Sequence, residues 1–140
     1  MALRPYYLGD TSALARRGLP EIASRLDPLI ESGLVARCTP TDLEAGFSSR
    51  DPISHRAMRE SRSAWPFVAM NQQVLERAVT VQDELAGRSQ QRGAKIADLL
   101  IAAAAESAAL VVLHYDHDFD LIAAITGQPV EWIVPPGTVS

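Results

Sequence analysis

The chain has 140 residues with a formal net charge of −4, 47% hydrophobic and 21% charged residues, and a single cysteine. That length and composition describe one globular domain over residues 1–140 and exclude a disordered chain. Cys38 standing alone excludes a disulfide framework and a cysteine-based zinc site, and no apolar run is long enough to span a membrane. Met1-Ala2-Leu3-Arg4-Pro5 lacks the apolar core and cleavage site of a signal peptide, so a cytoplasmic protein is expected.

Taken in order, Tyr6 to Gly9 reads as a short first strand ending at Asp10. Thr11 and Ser12 cap a brief helix, about Ala13 to Arg17, stopped by Gly18. Pro20 opens a second helix with Ile22, Leu26, Leu29 and Ile30 on one face, closed by Gly33. Leu34 to Cys38 is the second strand, and the helix after it carries Leu43, Glu44 and Phe47. A polar helix runs from Pro52 to about Trp65, where Trp65-Pro66 breaks it. Phe67 to Met70 suits a short edge strand. Asn71 then caps a long amphipathic helix with Val74, Ala78, Val81 and Leu85 on its apolar side. Gly87 to Gly93 is a polar loop. An Ala- and Leu-rich helix from Lys95 to Glu106 and a strand from Leu110 to Leu113 follow, the strand running into His114-Tyr115-Asp116-His117-Asp118. A helix to Thr126 and a strand from Val130 to Val134 complete an α/β pattern: a mostly parallel sheet of four or five short strands between helices.

The acids carry the chemistry. Ligands of an open α/β sheet bind beyond the carboxyl ends of its strands, where Asp10 and Asp116 lie and where the helix bearing Glu44 begins. Asp98 belongs to a helix that precedes a strand, which points its start to the opposite edge unless the preceding crossover brings it round. If these carboxylates converge, they cannot all ionise without a counter-ion, and hard divalent cations with oxygen ligands are the natural one. Setting aside Asp10, Glu44, Asp98, Asp116 and Asp118 moves the formal charge from −4 to +1. The acidity therefore belongs to a site, and a nucleic-acid partner is compatible with the rest of the chain. Thr11 and Ser12, beside Asp10, are placed to orient a ligand carboxylate or a water. Arg16, Arg17, Arg50, Arg56, Arg92 and Lys95 are candidates for guiding a phosphate backbone.

Each acid also has a structural reading. Asp98 complements a helix dipole, Asp10 caps a helix, and Glu44 is a solvated helix residue. Asp116-x-Asp118-x-Asp120 is not an EF-hand loop, because Leu121 and Gly127 stand where Gly and Glu are needed. The spacing of His114 and His117 fits no zinc pattern, and His114 reads as a strand residue at the edge of the core. The set Arg56, Arg59 and Arg62 has a solvated helix face as its alternative.

Four motifs in order, Asp10-Thr11-Ser12-Ala13-Leu14, Glu44, Asp98-Leu99-Leu100-Ile101-Ala102-Ala103 and Tyr115-Asp116-His117-Asp118-Phe119, resemble a PIN domain of the VapC type. The resemblance spans essentially the whole chain. It implies a three-layer α/β/α sandwich and a Mg²⁺- or Mn²⁺-dependent endoribonuclease, the toxin of a bacterial type II toxin–antitoxin pair, cutting RNA with metal-activated water. It carries Asp10, Glu44, Asp98 and Asp116 over as the acidic set, with Asp118 as an additional metal ligand beside Asp10, Asp98 and Asp116. It also implies a homodimer held inactive by a small VapB-type antitoxin, as a heterotetramer or larger assembly. A catalytically silent binding module, and a DNA nuclease or phosphatase using the same pocket, are the alternatives. Gly9 departs from the aliphatic residue usual in such a first strand and is expected to loosen it.

Overall fold

The computed structural model describes residues 4–140; the leader-free reading of the N-terminus falls partly on residues 1–3, outside that range. The elements are β1 (Tyr7–Gly9), α1 (Thr11–Leu14), α2 (Pro20–Glu31), β2 (Val35–Ala36), α3 (Thr39–Phe47), α4 (Pro52–Ser63), α5 (Gln72–Ala86), α6 (Ile96–Ser107), β3 (Val111–His114), α7 (Asp118–Thr126) and β4 (Val130–Trp132). All four strands are parallel, in the order β2-β1-β3-β4. No helix among the described residues is long and apolar enough to cross a membrane.

Short strands with both faces covered need apolar residues on both sides, and the period of two delivers them. Leu8, Ala36 and Val112 face a core built with α5, α6 and α7, including Val74, Ala78, Leu85, Ile101, Ala105, Phe119 and Ile122. Their neighbours Val35 and Leu113 face the opposite side, where Ala13, Ile22 and Leu26 of α1 and α2 join Ile133. The result is the expected three-layer α/β/α sandwich.

Two expectations are corrected. Phe67 to Met70 is not a strand: Phe67 makes a single parallel bridge to Arg37, through Arg37 N–H to the Pro66 carbonyl and Val68 N–H to the Arg37 carbonyl, each 2.9 Å. Pro66 has no N–H to extend the ladder, and β2 beside it is only two residues long. Nor does Gly9 loosen β1. A Cβ at position 9 would lie 2.9 Å from Val35 Cγ1 and 3.4 Å from Leu14 Cδ1, so the missing side chain lets β2 and α1 close over the strand end. The Asp10 N–H continues the pairing to the Leu113 carbonyl at 2.9 Å.

α3 and α4 stand together at the carboxyl edge, pinned by an ion cluster. Asp42 accepts from Arg37 Nη1 at 2.6 Å and from Arg62 Nε at 2.8 Å, while Arg62 Nη2 reaches Thr41 Oγ1 at 3.1 Å. Arg62 is therefore buried, stacked on Trp65, and not part of a solvated arginine face.

Gly9→Ala forces a clash with a stiff β-branched neighbour. It is expected to lower the unfolding free energy by about 1–3 kcal/mol, as for an overpacked core, read from a urea titration. An unchanged midpoint would show that the Gly9–Val35 approach does not constrain the strand.

Candidate metal centre at the carboxyl edge

The Asp98 helix starts at the carboxyl edge. A helix that feeds a parallel strand runs antiparallel to it, so it begins beside the strand's end; of the two edges the residues alone left open, Asp98 lies at the one the resemblance implies. One oxygen from each of Asp98, Asp116 and Asp118 forms a group whose members all lie within 4.8 Å of one another.

Asp116 follows β3 and is held by the backbone around it. Its N–H donates to His114 Nδ1 at 3.1 Å, and its Oδ1 accepts the Asp118 N–H at 2.9 Å, which turns the chain into α7. His114 is buried, its ring against Phe119 and Trp132. Burial lowers its pKa from 6.5 to about 4, so it is a neutral acceptor. The tyrosine between these two residues donates its N–H to Ser12 Oγ at 2.8 Å, which ties the end of β3 to α1.

Asp10 is 3% exposed and caps α1, its Oδ2 accepting the Ser12 N–H at 2.9 Å. Burial raises its pKa, the Ser12 hydrogen bonds oppose that, and the charges of Glu44 and Asp116 add to the rise. Glu44 is half-buried, its Oε1 accepting from Thr11 Oγ1 at 2.8 Å. Asp98 is 5% exposed, and burial, then the charge of Asp10 and the hydrogen bond with Asp118, raise its pKa to about 7. Asp116 ends below its ordinary value: burial pushes it up, but the Asp118 N–H and the Lys95 ammonium outweigh that.

The donor set fits a hard cation. Asp10 Oδ1 and Asp98 Oδ2 are buried carboxylate oxygens with no hydrogen-bond partner, the kind of orphan acceptor a divalent ion satisfies. Asp98, Asp116 and Asp118 are brought together directly. Asp10 and Glu44 lie outside that group; the charge of Asp10 nevertheless raises the pKa of Asp98, and Glu44 is held by Thr11, the residue next to Asp10.

The basic candidates part company. Lys95 turns its ammonium into the acids, 3.0 Å from Asp118 Oδ2 and 3.2 Å from Asp116 Oδ2. Arg16 is engaged by the Ser12 and Ser140 carbonyls and the Tyr115 ring, and Arg17 pairs with Asp27. Arg50 and Arg56, with Arg59 and His55, line an open hollow of about 570 Å³ beside the α3–α4 turn. Arg92 is exposed in the turns before α6. Sequence reasoning missed the His114 bond to Asp116 and the Asp42 cluster; Asp42 and Arg62 are 20 residues apart with no periodic signal to join them.

The PIN domain family model matches residues 7–125, so the chain belongs to the PIN-domain family. It is 50% identical over 139 residues to Ribonuclease VapC51 of Mycobacterium tuberculosis, covering 99% of both chains, and 49% identical to Ribonuclease VapC21 of the same species, covering 94% of this chain and 96% of the relative. Its fold matches a chain in the crystal structure of DNA-bound VapBC from Salmonella typhimurium with a TM-score of 0.75 at 19% identity, over 94% of this chain and 100% of the other.

Asp98 and His114 tilt metal-free stability in opposite directions. Between pH 3.8 and about 7 folded Asp98 holds a proton that the unfolded chain releases, so its contribution falls as pH rises through that window. Between pH 6.5 and about 4 folded His114 resists a proton that the unfolded chain accepts, so its contribution falls as pH drops. In EDTA, the Tm of Asp98→Asn minus that of wild type is expected to grow from pH 5 to pH 8. For His114→Phe the same difference should grow from pH 7 to pH 4.5, each by several degrees at about 4 °C per kcal/mol. Parallel curves would contradict the assigned environments.

Proposed function

We propose that this protein is the toxin of a type II toxin–antitoxin pair, acting through one PIN domain over residues 1–140 as a divalent-metal-dependent endoribonuclease. The observation that carries the reading is the convergence of Asp98, Asp116 and Asp118 with the orphaned oxygens of Asp10 and Asp98, in a chain half identical to proteins named ribonucleases. Asp10, Asp98, Asp116 and Asp118 would hold Mg²⁺ or Mn²⁺. When bound, the ion polarises the phosphodiester and makes water nucleophilic near neutral pH.

The chain's own residues prepare that chemistry. The Ser12 N–H holds the Asp10 carboxylate, and the Ser12 hydroxyl and His114 fix the backbone that carries Asp116, so the acids meet without reorganising. Glu44, aligned by Thr11 and half open to solvent, is the acceptor for the proton of the attacking water. The strand enters past the α3–α4 turn, where the Arg50, Arg56 and Arg59 hollow offers phosphate contacts outside the acidic pocket. Single-stranded or looped RNA suits such an open edge, because its bases splay out of the way.

The VapBC complexes with this fold support a small VapB-type antitoxin as the inhibitory partner. An apolar hollow of about 630 Å³, lined by Pro40, Leu43, Met70, Leu75, Ile96 and Leu100, opens beside Glu44, with Leu43 and Ile96 largely exposed. We assign the antitoxin to this hollow, and a homodimer to the toxin itself.

Purified protein is expected to cleave RNA with Mg²⁺ or Mn²⁺ and to stop in EDTA. Asp116→Asn should lower the cleavage rate by at least about 100-fold, the scale of a loss of ligation support, while leaving the fold intact by circular dichroism. A folded protein that cleaves no RNA with either metal would instead make this a PIN-fold binding module. Cleavage undiminished in Asp116→Asn would refute the site.

A further inference from the structure

Lys95 has no packing reason to be where it is. Its side chain is 70% exposed, yet the ammonium lies 3.0 Å from Asp118, 3.2 Å from Asp116 and 3.8 Å from Asp98, the same three residues that form the candidate metal group. It also sits at a position that disfavours it. Lys95 is the N-cap of α6, makes no side-chain cap hydrogen bond, and puts a positive charge at the positive end of the helix dipole. A Ser or Asp there would serve the helix better. What the lysine serves is the acid cluster.

The neutralisation is incomplete. The ammonium reaches Asp116 and Asp118 at hydrogen-bond distance, but Asp98 Oδ2 stays beyond it, and that oxygen and Asp10 Oδ1 remain buried without a partner. A single charge on a flexible stem satisfies the outer part of the pocket and leaves the inner part open. A divalent ion can satisfy both, and like charges at that range exclude each other.

We propose that Lys95 is a tethered counter-ion that occupies the outer metal position in the metal-free protein and must leave for the ion to load, thereby setting the ion concentration at which the site fills. This rests on the metal-centre reading above. The four-carbon stem and high exposure let the ammonium swing out to solvent without disturbing α6. A competent site open one-tenth of the time binds about tenfold more weakly than a permanently open one, which is the size of effect such a device imposes.

The test is Mn²⁺ binding by calorimetry, with Tm in EDTA and in Mn²⁺, on the full chain and on Lys95→Met and Lys95→Arg. Lys95→Met keeps the stem and removes the charge. It is expected to bind Mn²⁺ about tenfold more tightly, to have a lower Tm in EDTA because the acids lose their counter-ion, and to gain more from Mn²⁺ than wild type. Lys95→Arg, which keeps the charge, should stay near wild type in affinity. Equal Mn²⁺ affinity in wild type and Lys95→Met, or weaker binding in Lys95→Met, overturns the proposal while leaving the metal centre standing. No Mn²⁺ binding by either protein, both folded by circular dichroism, overturns the metal centre and this inference together.

Discussion

Carboxylates crowded at one end of a parallel sheet are the constraint around which this fold is arranged. Asp10 and Asp98 are almost fully buried, and Asp116 and Asp118 lie close enough to share a cation. Burial and mutual repulsion both oppose ionisation, which is why the pKa values of Asp10 and Asp98 rise. Holding it together takes a counter-charge, and the chain supplies one from Lys95 while two buried oxygens, Asp10 Oδ1 and Asp98 Oδ2, stay without a hydrogen-bond partner.

The sheet makes the convergence unavoidable. β1 and β3 are neighbours and parallel, so Asp10 and Asp116, just past their ends, leave the sheet at the same edge. α6 runs back along the sheet to feed β3, which puts its first turn, and Asp98, at that edge too. Fine positioning is then the work of polar neighbours. Ser12 touches both strand ends, through its N–H to the Asp10 carboxylate and through its hydroxyl, which accepts the N–H of the residue before Asp116. His114, kept neutral by burial, accepts the Asp116 N–H. Removal of such a contact shifts a carboxylate without deleting it.

The α3–α4 unit is stiffened differently, by a buried cluster of two arginines on Asp42. Buried ion pairs contribute less net stability than their short distances suggest, because both charges lose water. Here the cluster fixes where α4 lies against α3. That fixes the Thr11–Glu44 contact on one side and the hollow lined by Arg50, Arg56 and Arg59 on the other. Gly46 belongs to the same arrangement, since a Cβ there would lie 2.8 Å from Arg59 Nη2. Positive charge is thus kept near the acidic pocket without entering it, apart from Lys95.

The sequence by itself determined the order and type of almost every element and named the acids, because hydrophobic period, capping residues and glycine stops act over a few residues. Leu8, Val112 and Leu113 alternate between two cores as a buried strand must, and Gly33 and Gly127 end their helices with positive φ. The acid motifs were legible for the same reason: all but Glu44, which lies in the middle of α3, stand just beyond a strand or in the first turn of a helix. What only the tertiary structure decided are contacts between segments far apart in the chain. The fit of Gly9 under Val35, the fate of Phe67 beside a two-residue strand, the burial of Arg62 on Asp42 and the turn of Lys95 into Asp116 and Asp118 all depend on which elements become neighbours. Lys95 shows the limit most clearly. A lysine three residues before an aspartate reads as surface charge until the strand that follows brings two more carboxylates to meet it.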